Sequence, residues 1–567
     1  MFQQELAPVG GSLTLSALIA LLPLIAIFIL LGVLRLKAHW AGLIALAVAV
    51  VVAAAAFRMP IDLSLLSATQ GAVFGLFPIM WIVFNALWVY QLTVVSGRFE
   101  DLRETFNLIT ADPRVLAVLI AFCFGGLLEA LAGFGAPVAI TGAMLMAVGF
   151  SPFRAAAVVL LANTAPVAYG AIATPILTAG ALTHIPADDI GAVVGRQTPI
   201  LALFVPLILV GMVDGRRGIR QTWPVALVCG VSFAILQFLS SNYISVELTD
   251  IIASLGAVGV TVLFLRVWHP QGGEEALRDL RAAADREADE TGIGGPASPA
   301  PGAPGGSGGT AVKAPRQLTG GRIGMALLPY LIIIAIFSLA KLWTPLKDFL
   351  AGTDIKIGWP GLNGNVLSSS GTPSSSTIYN FQWLSSPGTL LLISGIIVAI
   401  AYRIGPGVAA RQYGSTAHRL RWAFLTVASV LALAYVMNLS GQTLTIGFWI
   451  AAAGGFFAFL APVLGWLGTA VTGSDTSANA LFATLQQAAA ERAGLDPTLL
   501  VASNTSGGVV GKMISPQNLT IAATAVGILG REGDLFRYVI RWSAVMILFM
   551  CVLVYLQSTP VLGWMLP

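Results

Sequence analysis

Three ionisable residues stand inside long apolar stretches: Glu129 in LLEALAGFG, Asp475 in TGSDTSANALF and Lys512 in GGVVGKMISP. Small hydroxyl and amide side chains crowd the same stretches, among them Asn163, Thr164, Ser474, Ser503, Asn504 and Thr505. Such groups suit a small polar anion. A lysine at membrane depth supplies one full positive charge, and a carboxyl group there can take up and release a proton where burial raises its pKa. One carboxylate with one proton makes a neutral cargo. Each residue also has a structural alternative. Glu129 can pair with a neighbouring helix, Asp475 can cap one, and Lys512 can reach the cytoplasmic surface or pair with Asp475.

The elements that must position these residues occur twice. NTAPVAYGAIATP at 163–175 and NTSGGVVGKMISP at 504–516 both open with Asn-Thr and close with Pro at the same spacing. Upstream of each lies a second matched pair, GFGAPVAITGAML from Gly133 and GSDTSANALFATL from Gly473. One offset of about 340 residues relates all four, which points to an internal duplication. Glycine, proline and small polar residues at membrane depth are costly unless the backbone groups they free face protein or a water-filled cavity. Paired interruptions in two halves point to a transporter's binding site. A broken helix also exposes N-terminal NH groups whose partial positive charge attracts carboxylates.

Lys512, Ser503, Ser474, Gly133 and Gly135 are therefore candidate substrate contacts, and Asp475 and Glu129 candidate proton carriers. Asp475 is preferred as carrier because it sits at a break beside other polar groups. Lys512 follows Gly507, Gly508 and Gly511 and precedes Pro516, so an unwound backbone is expected around it, where the first repeat has Ala171.

Composition sets the setting. Of 567 residues, 57% are hydrophobic and only 10% charged, with a mean hydropathy of +0.85, far from a soluble globular chain. This is a polytopic membrane protein in contact with the lipid bilayer, with no room for a separate catalytic domain. The net charge of +4 suits cytoplasmic loops, since no basic cluster with interleaved aromatics marks a nucleic-acid partner. Cys123, Cys229 and Cys551 lie in apolar runs without CxxC spacing and read as packing residues. The histidines, at 39, 184, 269 and 418, all fall near loops. A Ser/His pair or a HExxH zinc site thus has no material, and neither enzyme activity, metal nor cofactor is expected. The N-terminus lacks a basic n-region, so the first apolar segment is expected to stay in the protein.

The fold class expected is all-α and polytopic, with about twelve transmembrane helices plus two re-entrant hairpins. Crossings are read near 12–34, 38–57, 71–95, 155–180, 197–213, 222–242, 251–268, 322–343, 387–403, 422–440, 498–525 and 541–558. The stretches 115–150 and 446–490 hold glycine breaks and are read as the hairpins. Lys and Arg then fall in alternate loops, as orientation by the positive-inside bias requires, and the repeats become inverted with both termini outside. Three regions follow: an N-terminal half at 1–268, a disordered cytoplasmic linker at 269–321, helical at most in its first third, and a C-terminal half at 322–567. A Gly/Ser/Thr-rich stretch at 346–386 should form the largest outside loop.

The strings LLEALAGFGAPVAI from Leu127, ANTAPVAYGAIATPIL from Ala162, TGSDTSANALF from Thr472 and SNTSGGVVGKMISPQNLTIAATAVG from Ser503, with REGDLFR from Arg531, resemble the lactate permease family. The resemblance runs the length of the chain. It implies proton-coupled symport of L-lactate, D-lactate or glycolate across the bacterial cytoplasmic (inner) membrane, a fold split into scaffold and moving transport domains, and Asn163, Thr164, Asn504 and Thr505 as substrate ligands by position. The long Pro/Ala/Gly-rich linker and the composition of the 346–386 loop depart from familiar members, away from the motifs. Sodium-coupled uptake of a di- or tricarboxylate is the alternative; one lysine without an intramembrane arginine pair favours a single carboxylate. A homo-oligomer is left open.

Overall fold

The computed structural model describes residues 1–567 except Arg35, Phe134, residues 292–318 and Leu529. Where water is excluded, backbone groups must be satisfied within the segment, so the apolar runs become helices. Among the described residues, nine helices are long and apolar enough to cross a membrane, or ten if the bent pair Pro152–Ala162 and Val167–Thr183 is one span. The number differs from twelve for three physical reasons. Thr249–Leu265 and Pro387–Ala401 are apolar but short, the stretch 498–525 is divided between Pro497–Gly511 and Pro516–Ala525, and the helix Thr198–Tyr243, counted once, turns back at Asp214 and Gly215, whose backbone is not helical. Two of the nine, Pro113–Leu131 and Gln442–Thr472, fall in the stretches read as hairpins. Gly218 there lies against the Val210 carbonyl and Gly230 against that of Leu203, so the two arms run antiparallel.

Two apolar cores hold the helices together. One is built chiefly from residues between 115 and 265 together with residues between 457 and 554. The other joins residues between 20 and 84 to residues between 420 and 446. Each core therefore takes helices from both halves of the chain, and the units that pack together are not the units that follow one another in sequence.

The stretch at 346–386 is folded. Ile355–Gly358 pairs antiparallel with Ile378–Phe381, and Val366–Leu367 pairs in parallel with the N-terminal Phe2–Gln3. Of the linker, 292–318 lies outside the described residues. Its preceding part is a helix, Gly273–Thr291, longer than the first third expected. The helix is docked because Ala276, Leu280 and Ala284, one turn apart, are buried on one side. Asp279 meets Arg217 at 2.7 Å and Glu287 accepts the Phe153 amide at 3.2 Å.

Glycines set the closest helix contact. A Cβ on Gly465, Gly507 or Gly511 would overlap the carbonyl of Asn504, Pro462 or Trp466, so Phe457–Thr472 and Pro497–Gly511 pack backbone to backbone, as small residues permit between helices in lipid.

Candidate functional site

Both repeats break, but one residue makes the breaks differ. In the first, Pro152–Ala162 ends at Asn163, and Val167–Tyr169 forms one 3-10 turn before Gly170–Thr183. Pro166 forces this, since it lacks an amide donor and disfavours helix at the residue before it. The matching position of the second repeat is Gly507, and there Pro497–Gly511 runs on past Asn504 and Thr505. The second break comes later, as a 3-10 turn at Lys512–Ile514 before Pro516–Ala525. Lys512 thus opens a single tight turn rather than lying in a long unwound stretch. Its counterpart Ala171 heads three successive residues, Ala171, Ile172 and Ala173, at φ 45°, 57° and 56°. Left-handed backbone costs non-glycine residues about 1–2 kcal/mol each, so the first break stores strain that its packing must hold.

The two glycine breaks close hairpins against the opposite repeat. Gly133 and Gly135 both have positive φ, which glycine alone adopts freely, and Gly125 beside Thr141 shows the arms Gly125–Ala132 and Ala136–Val148 packed together. A Cβ on Gly135 would overlap Ile521 of the second broken helix. Reciprocally, Gly473 turns at φ 76°, Ser474 caps Asp475–Ala493 by accepting the Ser477 amide at 3.3 Å, and Asn479 on that arm donates to the Pro175 carbonyl at 3.2 Å. Each hairpin braces the other repeat.

At the centre, Lys512 Nζ donates to Glu129 Oε1 at 2.5 Å, with the side chains only 8% and 4% exposed. The expected alternatives for Lys512, the cytoplasmic surface or Asp475, are both replaced by this contact. Gly133 and Gly170 explain why Glu129 can reach: a Cβ at Gly170 would stand 2.9 Å from Glu129 Oε1. Glu129 Oε2 has no hydrogen-bond partner among the described residues.

Asp475 is buried separately. Its Oδ1 accepts from Thr469 Oγ1 at 3.3 Å, and its Oδ2 has no partner among the described residues. A Cβ at Gly508 would overlap Oδ1, so that glycine makes its space. Lys512 acts on Asp475 through space only.

The two Asn-Thr pairs are unequal. Asn504 Nδ2 and Thr505 Oγ1 both donate to Asn479 Oδ1, at 2.9 and 3.1 Å, which ties them to the second hairpin. Ser503 donates to its own helix at the Leu500 carbonyl, 2.7 Å away. Asn163 instead keeps Oδ1 without a partner among the described residues. With Thr164, Lys512, Met513, Asn518, Val138 and Leu160 it lines a crevice of about 170 Å³, too narrow in this conformation for a water-sized sphere. A cation, amides and a hydroxyl meet there, as a small carboxylate needs, and the walls must part to admit one. A larger cleft between Phe77, Trp81, Trp359, Tyr379 and Phe381 is wholly apolar and offers an anion nothing.

Sequence reasoning missed two neighbours of this site. Asp250, at the start of an apolar run, is fully buried, as is Gln237, which donates to the Ala165 carbonyl at 3.3 Å beside the first break. An acidic residue opening an apolar run looks like a helix cap, and nothing local distinguishes the two. The cysteines read as packing residues meet in part: Cys123 and Cys229 are both buried, with sulfurs 3.3 Å apart.

A family model described as L-lactate permease matches residues 16–561. The L-lactate permease of Bacillus subtilis (strain 168) is 41% identical over 581 aligned positions, covering 100% of this chain and 99% of the relative. Glycolate permease GlcA of Escherichia coli (strain K12) is 42% identical over 567 positions, covering 98% of each. The L-lactate permease of the same organism is 39% identical over 577 positions, covering 100% of each.

Proposed function

Because the chain belongs to the L-lactate permease family, we propose that this multi-pass membrane protein carries lactate and related 2-hydroxy-monocarboxylates such as glycolate, together with protons, across a bacterial cytoplasmic membrane. The observation that carries the coupling is the 2.5 Å contact of Lys512 with Glu129. An incoming carboxylate competes with Glu129 for the same ammonium. Once displaced, Glu129 is a buried charge without a counter-ion, an arrangement costing several kcal/mol; a proton on Glu129 removes it. Substrate and proton then enter as one neutral load. Asn163 and Thr164 orient the substrate at the crevice. Gly133, Gly135, Ser474, Ser503, Asn504 and Thr505 stand on the breaks and helices that surround the crevice and reach the substrate as its walls part, and Asp475 is the second carboxylate able to exchange a proton.

Purified protein in liposomes should accumulate lactate when the inside is made alkaline, without sodium. Accumulation that requires a sodium gradient and ignores pH would overturn the proton reading in favour of a sodium-coupled carrier.

The transport cycle asks for two domains that move against each other, and the two apolar cores, each drawing on both halves, support that division. The hairpins read as re-entrant from opposite sides, within inverted repeats and twelve crossings. The segment 269–321 is cytoplasmic and 346–386 lies outside. Single cysteines placed in the loops of a cysteine-free version test this by one-sided labelling. Labelling of the linker from outside intact cells would exclude the arrangement.

A further inference from the structure

Glu129 is nearly sealed, so a proton needs a route to it. Buried polar atoms without protein partners trace such routes, because ordered water ordinarily satisfies them. Several line one face of helix Thr249–Leu265. Asp250 Oδ1 accepts from Gln237 Nε2 at a long 3.4 Å, and Oδ2 has no partner among the described residues. Gln237 Oε1 and Ser254 Oγ, on fully buried residues, also lack partners there. Ser254 stands one turn from Asp250, and a Cβ on Gly126 would lie 2.7 Å from its Oγ. That places Ser254 against helix Gly125–Ala132, about one turn from Glu129, whose Oε2 is likewise unpartnered.

Among the described residues, no cation forms an ion pair with Asp250. Glu129 is the only ionisable residue of Gly125–Ala132, and Cys123 the only one of the adjoining turn Val118–Phe124. The packed arm 216–243 brings Cys229 and Tyr243, its arginines lying roughly five turns away from Gln237. Tyr169 gives its hydroxyl to the Gly191 carbonyl, and Glu247 on the preceding turn accepts from Ser245 at 2.7 Å. Glu129 and Lys512 both act on Asp250 electrostatically.

We propose that Asp250 is the carboxyl group that delivers the proton to Glu129 and takes it back, with Gln237 and Ser254 holding the waters between them. This rests on the exchange at Lys512 proposed above. In the unloaded site Lys512 and Glu129 neutralise each other and Asp250 carries the proton. When a substrate carboxylate takes Lys512, the proton leaves the Asp250 oxygen and forms the O–H bond of Glu129. The Asp250 anion regains a proton from water on the open side. The load is one carboxylate and one proton, with no charge gained by the site.

Asp250→Asn in proteoliposomes should lose at least about tenfold of the uptake rate driven by an inside-alkaline gradient while retaining lactate counterflow, which needs no net proton movement. Asp250→Glu should restore gradient-driven uptake with a displaced pH profile. Ser254→Ala, a small change if the aspartate variant fails to fold, should slow gradient-driven uptake more than counterflow. Asp250→Asn with wild-type uptake, equal loss of uptake and counterflow, or a Ser254→Ala protein slowed equally in both or in neither overturns the proposal, provided the wild-type protein responds to the gradient. A wild-type protein that ignores the pH gradient is the separate failure of the coupling reading, and the proposal falls with it.

Discussion

Lys512→Gln is expected to weaken lactate binding more than tenfold, in line with about 1.5–3 kcal/mol for a hydrogen bond to a charged group. Among the described residues, Lys512 is the only charged one lining the crevice, so no other of them can take over the substrate carboxylate. The change also strands Glu129, and losing one member of a buried pair destabilises by about 3–5 kcal/mol. Reduced yield of the single variant is therefore ambiguous. The double variant Lys512→Gln, Glu129→Gln removes the stranded charge: it should insert at near wild-type yield and still fail to bind labelled lactate. Wild-type affinity in Lys512→Gln would reject the substrate role, and recovery of transport in the double variant would make the pair a structural strut.

Glu129→Gln should divide two activities that the native protein keeps together. Accumulation driven by a pH gradient should be abolished, because the amide cannot gain and lose a proton. Counterflow should persist, and lactate affinity should rise, because Lys512 no longer has an internal carboxylate competing for it. Asp475→Asn is the comparator, since among the described residues Asp475 has a threonine and no cation as its partner. If coupling is lost in Asp475→Asn and kept in Glu129→Gln, the carrier assignment is reversed. Loss of counterflow in both would make both carboxylates part of the substrate site or of the fold.

The sequence alone determined that this chain lies in a membrane, that it carries a duplicated pair of interrupted segments, and which three ionisable residues stand within them. Those properties are local: apolar run length, glycine and proline at fixed spacing, and a charge where charge is costly can all be read along the chain. The breaks at Gly133 and Gly473 follow from backbone freedom at single residues, and Pro166 against Gly507 even encodes why the first repeat breaks early. The extent of the linker helix was not legible, because its order comes from three apolar side chains, Ala276, Leu280 and Ala284, buried where it packs on helices distant in sequence. Partnership was not legible either. Lys512 lies 37 positions from Asp475 and 383 from Glu129, and proximity in sequence favoured the wrong pair. Only tertiary packing carries the hairpin of one repeat onto the broken helix of the other, and so brings Glu129 to Lys512. The same packing tied Asn504 and Thr505 to Asn479 while leaving Asn163 at the crevice, and it buried Asp250 behind the first break. A hydrogen bond between residues hundreds of positions apart is set by how helices meet, and the motifs on each helix are the same whichever way they meet.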